Sequence, residues 1–293
     1  MLVEKGWRQW LFDVLNHVFL GALAIACVLP LVHLVAVSFS GRAAAEGYFV
    51  TLWPVDFGIR NYELAFRGQA LQQSLIISIQ RTVLGTAISL ALTLLTAYPL
   101  SKTASRLKGR NIMMWLVLFA WLFPAGLIPW FLVIRSLGML NTMWALVLPN
   151  GLPAWNVILM ANFFRDVPTE LEEAAIVDGA SQWRIFASIY LPLSIPAVAT
   201  MTLLSAVFHW NSWFDGMVLM TNRSRYPLMT YVREVVIQFE AMRQAADTQA
   251  LEQIGTRGFK AALIVVATLP ILCVYPFLQR YFVTGMRLGA IKG

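Results

Sequence analysis

Three groups of residues have types and spacings that suggest chemistry, and each suggests gripping rather than bond-making. The first is a carboxylate run, Glu170, Glu172 and Glu173, followed by Ala174, Ala175, Asp178 and Gly179. Trp183, Phe186, Ile189, Leu191 and Pro192 come next. Clustered carboxylates can hold a basic partner, and apolar residues three or four apart on a helix can bury against one. The second group is His209 and Trp210-Asn211-Ser212-Trp213-Phe214-Asp215. Aromatic faces stack on sugar rings, and amide and carboxylate groups bond hydroxyls. The same patch would also serve as an interfacial aromatic belt with helix-packing polar groups. The third is Arg81, a permanent cation inside an apolar run. It is either a pore-facing charge for an acidic solute or a paired or snorkelling residue. Asp215, also in an apolar run, calls for a partner or water nearby.

Bond-making machinery is missing. The sequence contains no G-x-x-x-x-G-K-[ST], so it has no ordinary phosphate cradle. His17, His33 and His209 lie in separate runs without metal-ligand spacing. Cys27 and Cys273 sit in apolar runs and form no disulfide framework. The chain therefore reads as a non-enzyme that binds no cofactor or metal of its own.

The elements that must position these groups are membrane helices. Of 293 residues, 59% are apolar and only 13% charged, with mean hydropathy +0.67. A soluble domain is nearer a quarter charged. Six apolar stretches, roughly 12–38, 71–100, 112–134, 143–164, 193–220 and 259–284, approach or exceed the ~20 residues a spanning helix needs. The first is too long for a signal-peptide core and reads as an uncleaved anchor. The link after the second stretch carries Lys102, Arg106, Lys108 and Arg110 and no acid, whereas the link after the third carries only Arg135. That contrast places 101–111, both termini and the segment 168–192 in the cytoplasm. Segment 168–192 reads as a helix–turn–helix hairpin. Thr169 caps it, Glu172 closes the box, and Gly179 supplies the positive φ that ends the first helix. Trp183, Phe186, Ile189 and Tyr190 mark one side of the second helix as a docking face. Glu170 and Glu172 need no role beyond capping. The expected fold is all-α: one polytopic membrane domain, 1–293, with six transmembrane helices and a cytoplasmic helix–turn–helix coupling loop.

The spacing Glu173-Ala174-Ala175, three residues, Gly179, nine residues, Ile189-x-Leu191-Pro192 resembles the EAA loop of bacterial ABC-importer permeases. Trp210 to Asp215, Tyr226-Pro227-Leu228 and the ending Arg280 to Gly293 are similar to the carbohydrate-uptake, maltose-permease-like branch. Phe12-Asp13 through His17, with Pro30, Leu31 and His33, resembles permeases for polysaccharide-derived oligosaccharides, including acidic ones such as alginate or galacturonate. The resemblance implies ATP-driven import across the bacterial inner membrane by alternating access. It also implies a second homologous permease, two ABC ATPase subunits holding ATP and Mg, and a periplasmic or lipid-anchored solute-binding protein. Membrane lipid is a partner and nucleic acid is not. Glu173 would face a basic residue of the ATPase, and Gly289, Lys292 and Gly293 would reach the ATPase interface. Trp210, Asn211, Trp213, Asp215 and Arg81 would line the substrate pathway. Arg223, Arg225, Arg233, Arg243 and Arg257 would suit an anionic solute, although Glu234, Glu240, Asp247 and Glu252 dilute that field. The alternative is a self-contained secondary carrier or channel, which needs ion-coupling carboxylates or broken helices within its spans.

Overall fold

The computed structural model describes residues 7–244 and 257–290, and every regular element among them is helical. In chain order these are α1 (Trp7–Ser38), α2 (Arg42–Glu46), α3 (Arg60–Arg67), α4 (Gln69–Ser101), α5 (Arg110–Leu122), α6 (Leu127–Ser136), α7 (Met143–Val147) and α8 (Ala154–Arg165). Then come α9 (Thr169–Val177), α10 (Gln182–Ile185), a π-helical turn at Phe186–Tyr190, α11 (Leu191–Leu193), α12 (Ile195–Asn211), α13 (Phe214–Leu219), α14 (Leu228–Gln244) and α15 (Arg257–Ala290). The chain divides into two compact units, Met1–Gln69 with Glu234–Thr268, and Ala70–Arg233 with Leu269–Gly293.

In the first unit α1 leaves nearly all its large apolar side chains exposed, from Trp7 to Val35. That suits a helix whose solvent is lipid. Its end is held by a small core of Ala36, Val37, Ala44, Ala45, Val50 and Ala261. The buried Asn61 amide donates to the carbonyl of Ser38 (2.9 Å), which the end of α1 leaves without a helical partner, and to that of Ser40 (3.1 Å) just beyond the helix.

The second unit is organised around α4, whose amphipathicity is inverted. Ser74, Ser78, Arg81, Gly85, Ser89, Thr93 and Ala97, three or four apart on one face, are buried, with Leu71, Leu94 and Leu100 buried toward the helix's two ends, while Ile76, Ile79, Val83 and Leu95 are exposed. Small and polar residues inside and branched ones outside are what close helix packing in lipid favours. Gly85 shows how close it is: a Cβ there would lie 2.6 Å from Cε1 and Nε2 of the buried His209 on α12. Below it Leu94, Ala97 and Leu100 pack with Val157, Met160, Ala161 and Phe164 of α8, and with Ala197 and Met201 of α12.

Three of the six apolar stretches are not single straight helices. Residues 112–134 become α5 and α6, bent by 111° at Phe123–Gly126. Pro124 disfavours helix at Phe123, and Gly126 takes φ +80°. Residues 143–164 bend by 49° ahead of Pro153, and the hairpin's second arm bends by 82° into α12 at Ser194, between Pro192 and Pro196. The stretch 193–220 also ends its helix at Asn211 and restarts at Phe214. Trp210 to Asp215 therefore straddles a break instead of lying within a span. Broken helices, one feature expected of a secondary carrier, are thus present and do not separate the two readings.

Gly85→Ala is expected to force His209 out of place, with a loss of about 1–3 kcal/mol from overpacking. The measurement is the denaturation midpoint of the purified protein in detergent, and an unchanged midpoint would mean the helices separate freely.

Candidate functional site

Two sites lie in the second unit, both anchored on α4. The first is a clasp where α4 ends. Glu172 on α9 is buried, with 2% of its surface exposed. Its Oε1 lies 2.9 Å from Lys102 Nζ, its Oε2 lies 3.2 Å from an Arg106 nitrogen, and Oε2 also accepts from the Tyr190 hydroxyl at 2.7 Å. The Lys102 ammonium sits 4.1 Å and 4.0 Å from the ring centres of Tyr98 and Tyr190, a cation–π pair on top of the ion pair. Tyr98, Phe164, Phe186 and Tyr190 form one aromatic cluster beneath, with centroid separations of 5.0 to 6.2 Å. Burial pushes the Glu172 carboxyl up, but bonds from Lys102 and Tyr190 and the charges of Lys102 and Arg106 outweigh it, and its pKa falls below 4.5. Burial pushes Lys102 down, with Glu172 opposing.

This arrangement corrects the sequence reading of the hairpin. Pro168, not Thr169, stands at the N-cap, with no side-chain cap, and Glu172 serves the clasp instead of a capping box. Glu173 is exposed, and its Oε1 accepts from Arg106 at 2.8 Å within the same chain. Such a surface pair contributes about 0–1 kcal/mol and opens easily. Phe186 and Tyr190 are buried in the chain's own core and Ile189 and Leu191 pack partly against it, so they are not a free docking face. Trp183 is 69% exposed, and with it stand Leu171, Ile176 and Val177, which sequence reasoning missed. Glu170, Ala174, Asp178 and Pro192 are exposed and Ala175 half-buried. Gly179 has φ +77° and open space where a Cβ would go, so its requirement is backbone conformation alone.

The second site is a cavity of about 750 Å³ lined by Pro124 to Leu127, Trp130, Asn150, Val207, Phe208 and the α12–α13 break from Asn211 to Asp215. Asn211, Trp213 and Asp215 all line it. Trp210 is buried and faces a separate apolar groove with Ile79 and Val83. Arg81 stands behind the wall, fully buried, and binds both carboxylate oxygens of Asp215 (Oδ1 at 3.0 Å) and the Ser212 carbonyl at 3.1 Å. Of its two readings, the paired one is what the geometry contains. Asp215 Oδ1 also accepts from the Gly216 amide at 2.8 Å. Trp130 and Phe208, which lie outside the sequence patch, join Trp213 and Phe214 to complete an aromatic lining. Among the described residues no group of His, Cys, Asp and Glu could hold a metal. Gly289 lies in α15, and Lys292 and Gly293 lie outside the described residues.

Residues 89–288 match the family model for the binding-protein-dependent transport system inner membrane component. The chain belongs to this family. The permease is 41% identical to Protein LplC of Bacillus subtilis (strain 168) over 96% of this chain and 95% of that one. It is 40% identical to the polygalacturonan/rhamnogalacturonan transport system permease protein YtcP of the same organism, over 98% and 100%. Its fold matches a chain from the crystal structure of a bacterial ABC transporter involved in the import of the acidic polysaccharide alginate. That match has a TM-score of 0.85 and 33% identity over 94% of this chain and 98% of that one.

In this permease Asp215→Asn should leave the Arg81 charge buried and unpaired, a loss of about 3–5 kcal/mol. Arg81→Met with Asp215→Leu should restore most of it, and detergent denaturation of the three proteins measures both. A double variant no more stable than Asp215→Asn would show that charge pairing is not the cause. For the clasp the sign follows from a lowered carboxylate pKa. Glu172's contribution is complete above its ordinary value of 4.5 and is lost as pH falls through its lower folded value. Glu172→Gln should therefore flatten the acid limb of the stability–pH curve below 4.5, and a limb identical to wild type would refute the assignment.

Proposed function

We propose that this permease forms one half of the pore of an ATP-driven importer for acidic oligosaccharides of the galacturonate or alginate type. The observation that carries the reading is that one unbroken helix joins the hairpin to the cavity wall. From Lys102 to Arg81 runs about 30 Å of α4 at 1.5 Å per residue. One end is clasped to α9 through Glu172, and the other is bound to the α12–α13 break through Asp215.

The hairpin at 168–192 then faces the cytoplasm, as the basic link Lys102 to Arg110 favours. Trp183, Val177, Ile176 and Leu171 sit in an ATPase groove, and their burial contributes about 25 cal/mol per Å2 of apolar area. Glu173 exchanges its weak bond to Arg106 for a basic residue of the ATPase. The partners are a second permease of the same family, two ATPases carrying ATP and Mg, and an external solute-binding protein. ATP shifts the balance between inward-open and outward-open states only by its differential affinity for them. A rigid hairpin is what allows the pore to register that difference. The names of the relatives support an acidic polysaccharide fragment as cargo: one transports polygalacturonan or rhamnogalacturonan, and the transporter with the matching fold imports alginate. The cavity supports a sugar as cargo through Trp213, Trp130 and Phe208, with Asn211 for hydroxyls. The broken helices would also suit a secondary carrier, but Asp215, the carboxylate at the break, is already paired with Arg81, which does not favour ion coupling there.

The test is ATP hydrolysis by the reconstituted complex, with oligogalacturonates, alginate oligosaccharides and neutral oligosaccharides added together with the solute-binding protein. Acidic oligomers should stimulate hydrolysis. Lys102→Glu should keep basal hydrolysis and lose about tenfold of the stimulation, the size expected for a coupling of about 1–3 kcal/mol. Uptake that runs on an ion gradient with no ATPase attached would replace this reading with the carrier.

A further inference from the structure

The cavity wall holds aromatic rings and the amides of Asn150 and Asn211 but no free charge, since the Asp215 carboxylate is matched by Arg81 and Arg81 is fully enclosed. One cation nevertheless packs on a residue of the wall, Trp213, without itself lining the cavity. The Arg233 guanidinium lies over the Trp213 ring with its carbon 3.6 Å from the centroid. Its position is set by the first turn of α14, which is fixed to the α12–α13 break and to α4. The Thr230 hydroxyl donates to the Trp213 carbonyl at 2.8 Å, and the Leu228 amide donates to the Ser78 hydroxyl at 2.7 Å. A Cβ on Gly216 would fall 2.2 Å from the Thr230 hydroxyl oxygen, so α14 seats directly on the break.

A guanidinium stacked on an indole uses its face and keeps its in-plane N–H groups free. Arg233 is exposed and has no hydrogen-bond or carboxylate partner among the described residues. Its immediate acidic neighbour, Glu234, accepts from Gln238 at 3.1 Å. A rigid, unpaired fork beside an aromatic sugar platform suits a carboxylate attached to a sugar ring, which it would bind through two parallel N–H···O bonds.

We propose that Arg233 is the specificity-determining residue of this permease. In this assignment it binds the carboxylate of a uronate residue while the ring of that residue lies along Trp213. The proposal rests on the acidic-oligosaccharide reading above and adds to it the group that distinguishes acidic from neutral sugar.

The experiment is equilibrium binding of trigalacturonate, and of its fully methyl-esterified form, to the purified permease–ATPase complex without the solute-binding protein. Wild type should favour the acid about tenfold or more, as a charge-assisted bidentate contact requires. Arg233→Met keeps an apolar chain on Trp213 without the charge. It should bring the acid down to the affinity of the ester and leave the ester unchanged. Arg233→Lys should fall between, because it keeps the charge and loses the fork. A wild type that discriminates with an Arg233→Met variant that discriminates equally would overturn the assignment while leaving the acidic-sugar reading intact. A wild type that binds neither form, or both alike, would remove the acidic-sugar reading and this proposal with it. Loss of ester binding in Arg233→Met would show that the residue only supports Trp213, and that result also overturns the proposal.

Discussion

A guanidinium that water cannot reach must keep its carboxylate, and in this chain that requirement ties α4 to the break between α12 and α13. Arg81 has no exposed surface, and both Asp215 oxygens are directed at it. In a low-dielectric interior, separating such a pair costs far more than bending the backbone around it. The irregular backbone at Ser212 and Trp213 is therefore stabilised from behind, and the Ser212 carbonyl, freed by the end of α12, is taken up by the same arginine. A non-helical turn at membrane depth is tolerated where protein or a cavity covers it, and here it has both.

The clasp at the other end of α4 applies the same physics with a different margin. Glu172 and Glu173 are adjacent, yet the structure treats them oppositely. The first is enclosed by Lys102, Tyr190 and Tyr98, and the second is exposed with one weak partner. In the proposed docking, attachment within the chain and attachment to a partner would fall on neighbouring side chains. A hairpin held only by exposed pairs would slip under load. A hairpin with every carboxylate buried would present no anionic group to a partner. The aromatic cluster of Tyr98, Phe164, Phe186 and Tyr190 makes the held side stiff, because overlapping rings cannot slide without opening space in a close-packed core.

Much of this was legible in the sequence, and what was missed shares one cause. The spacing from Glu173 through Gly179 to Pro192 is local, and so is the positive φ at Gly179, which follows from residue type. The apolar stretches locate the helices to within a few residues. The partners of Glu172 cannot be read the same way, since its local pattern is satisfied by a capping box and its real cations come from a distant loop. The neighbouring Arg106–Glu173 bond alone spans 67 positions. Arg81 and Asp215 each stand out as charges in apolar runs, but their 134-residue separation conceals that each answers for the other. The break at Phe123–Gly126 does have a local signal in Pro124 and Gly126, which the apolar length of the run outweighs. Phe186 shows the reverse error. Its helical spacing marks a face correctly, and only the tertiary structure determines that the face turns inward to Phe164 and Tyr98.

The distribution of charge in the cavity follows from what a pore must do. A wall that held its cargo with several buried charges would bind tightly and release slowly, whereas conduction needs entry that is favourable and exit that is easy. Pairing Asp215 with Arg81 neutralises the one charged group of the lining and leaves rings and amides as its free contacts. Those contacts are broad and individually weak, and they tolerate a chain sliding past them. Selectivity then has to come from a group that touches the cargo at one point without enclosing it. A stacked, partly exposed arginine beside Trp213 has that character: water screens it enough to let go, and the indole holds it firmly enough to recognise a carboxylate in one orientation. The fold places its deep charges where they support the backbone and leaves a shallow one where it can discriminate.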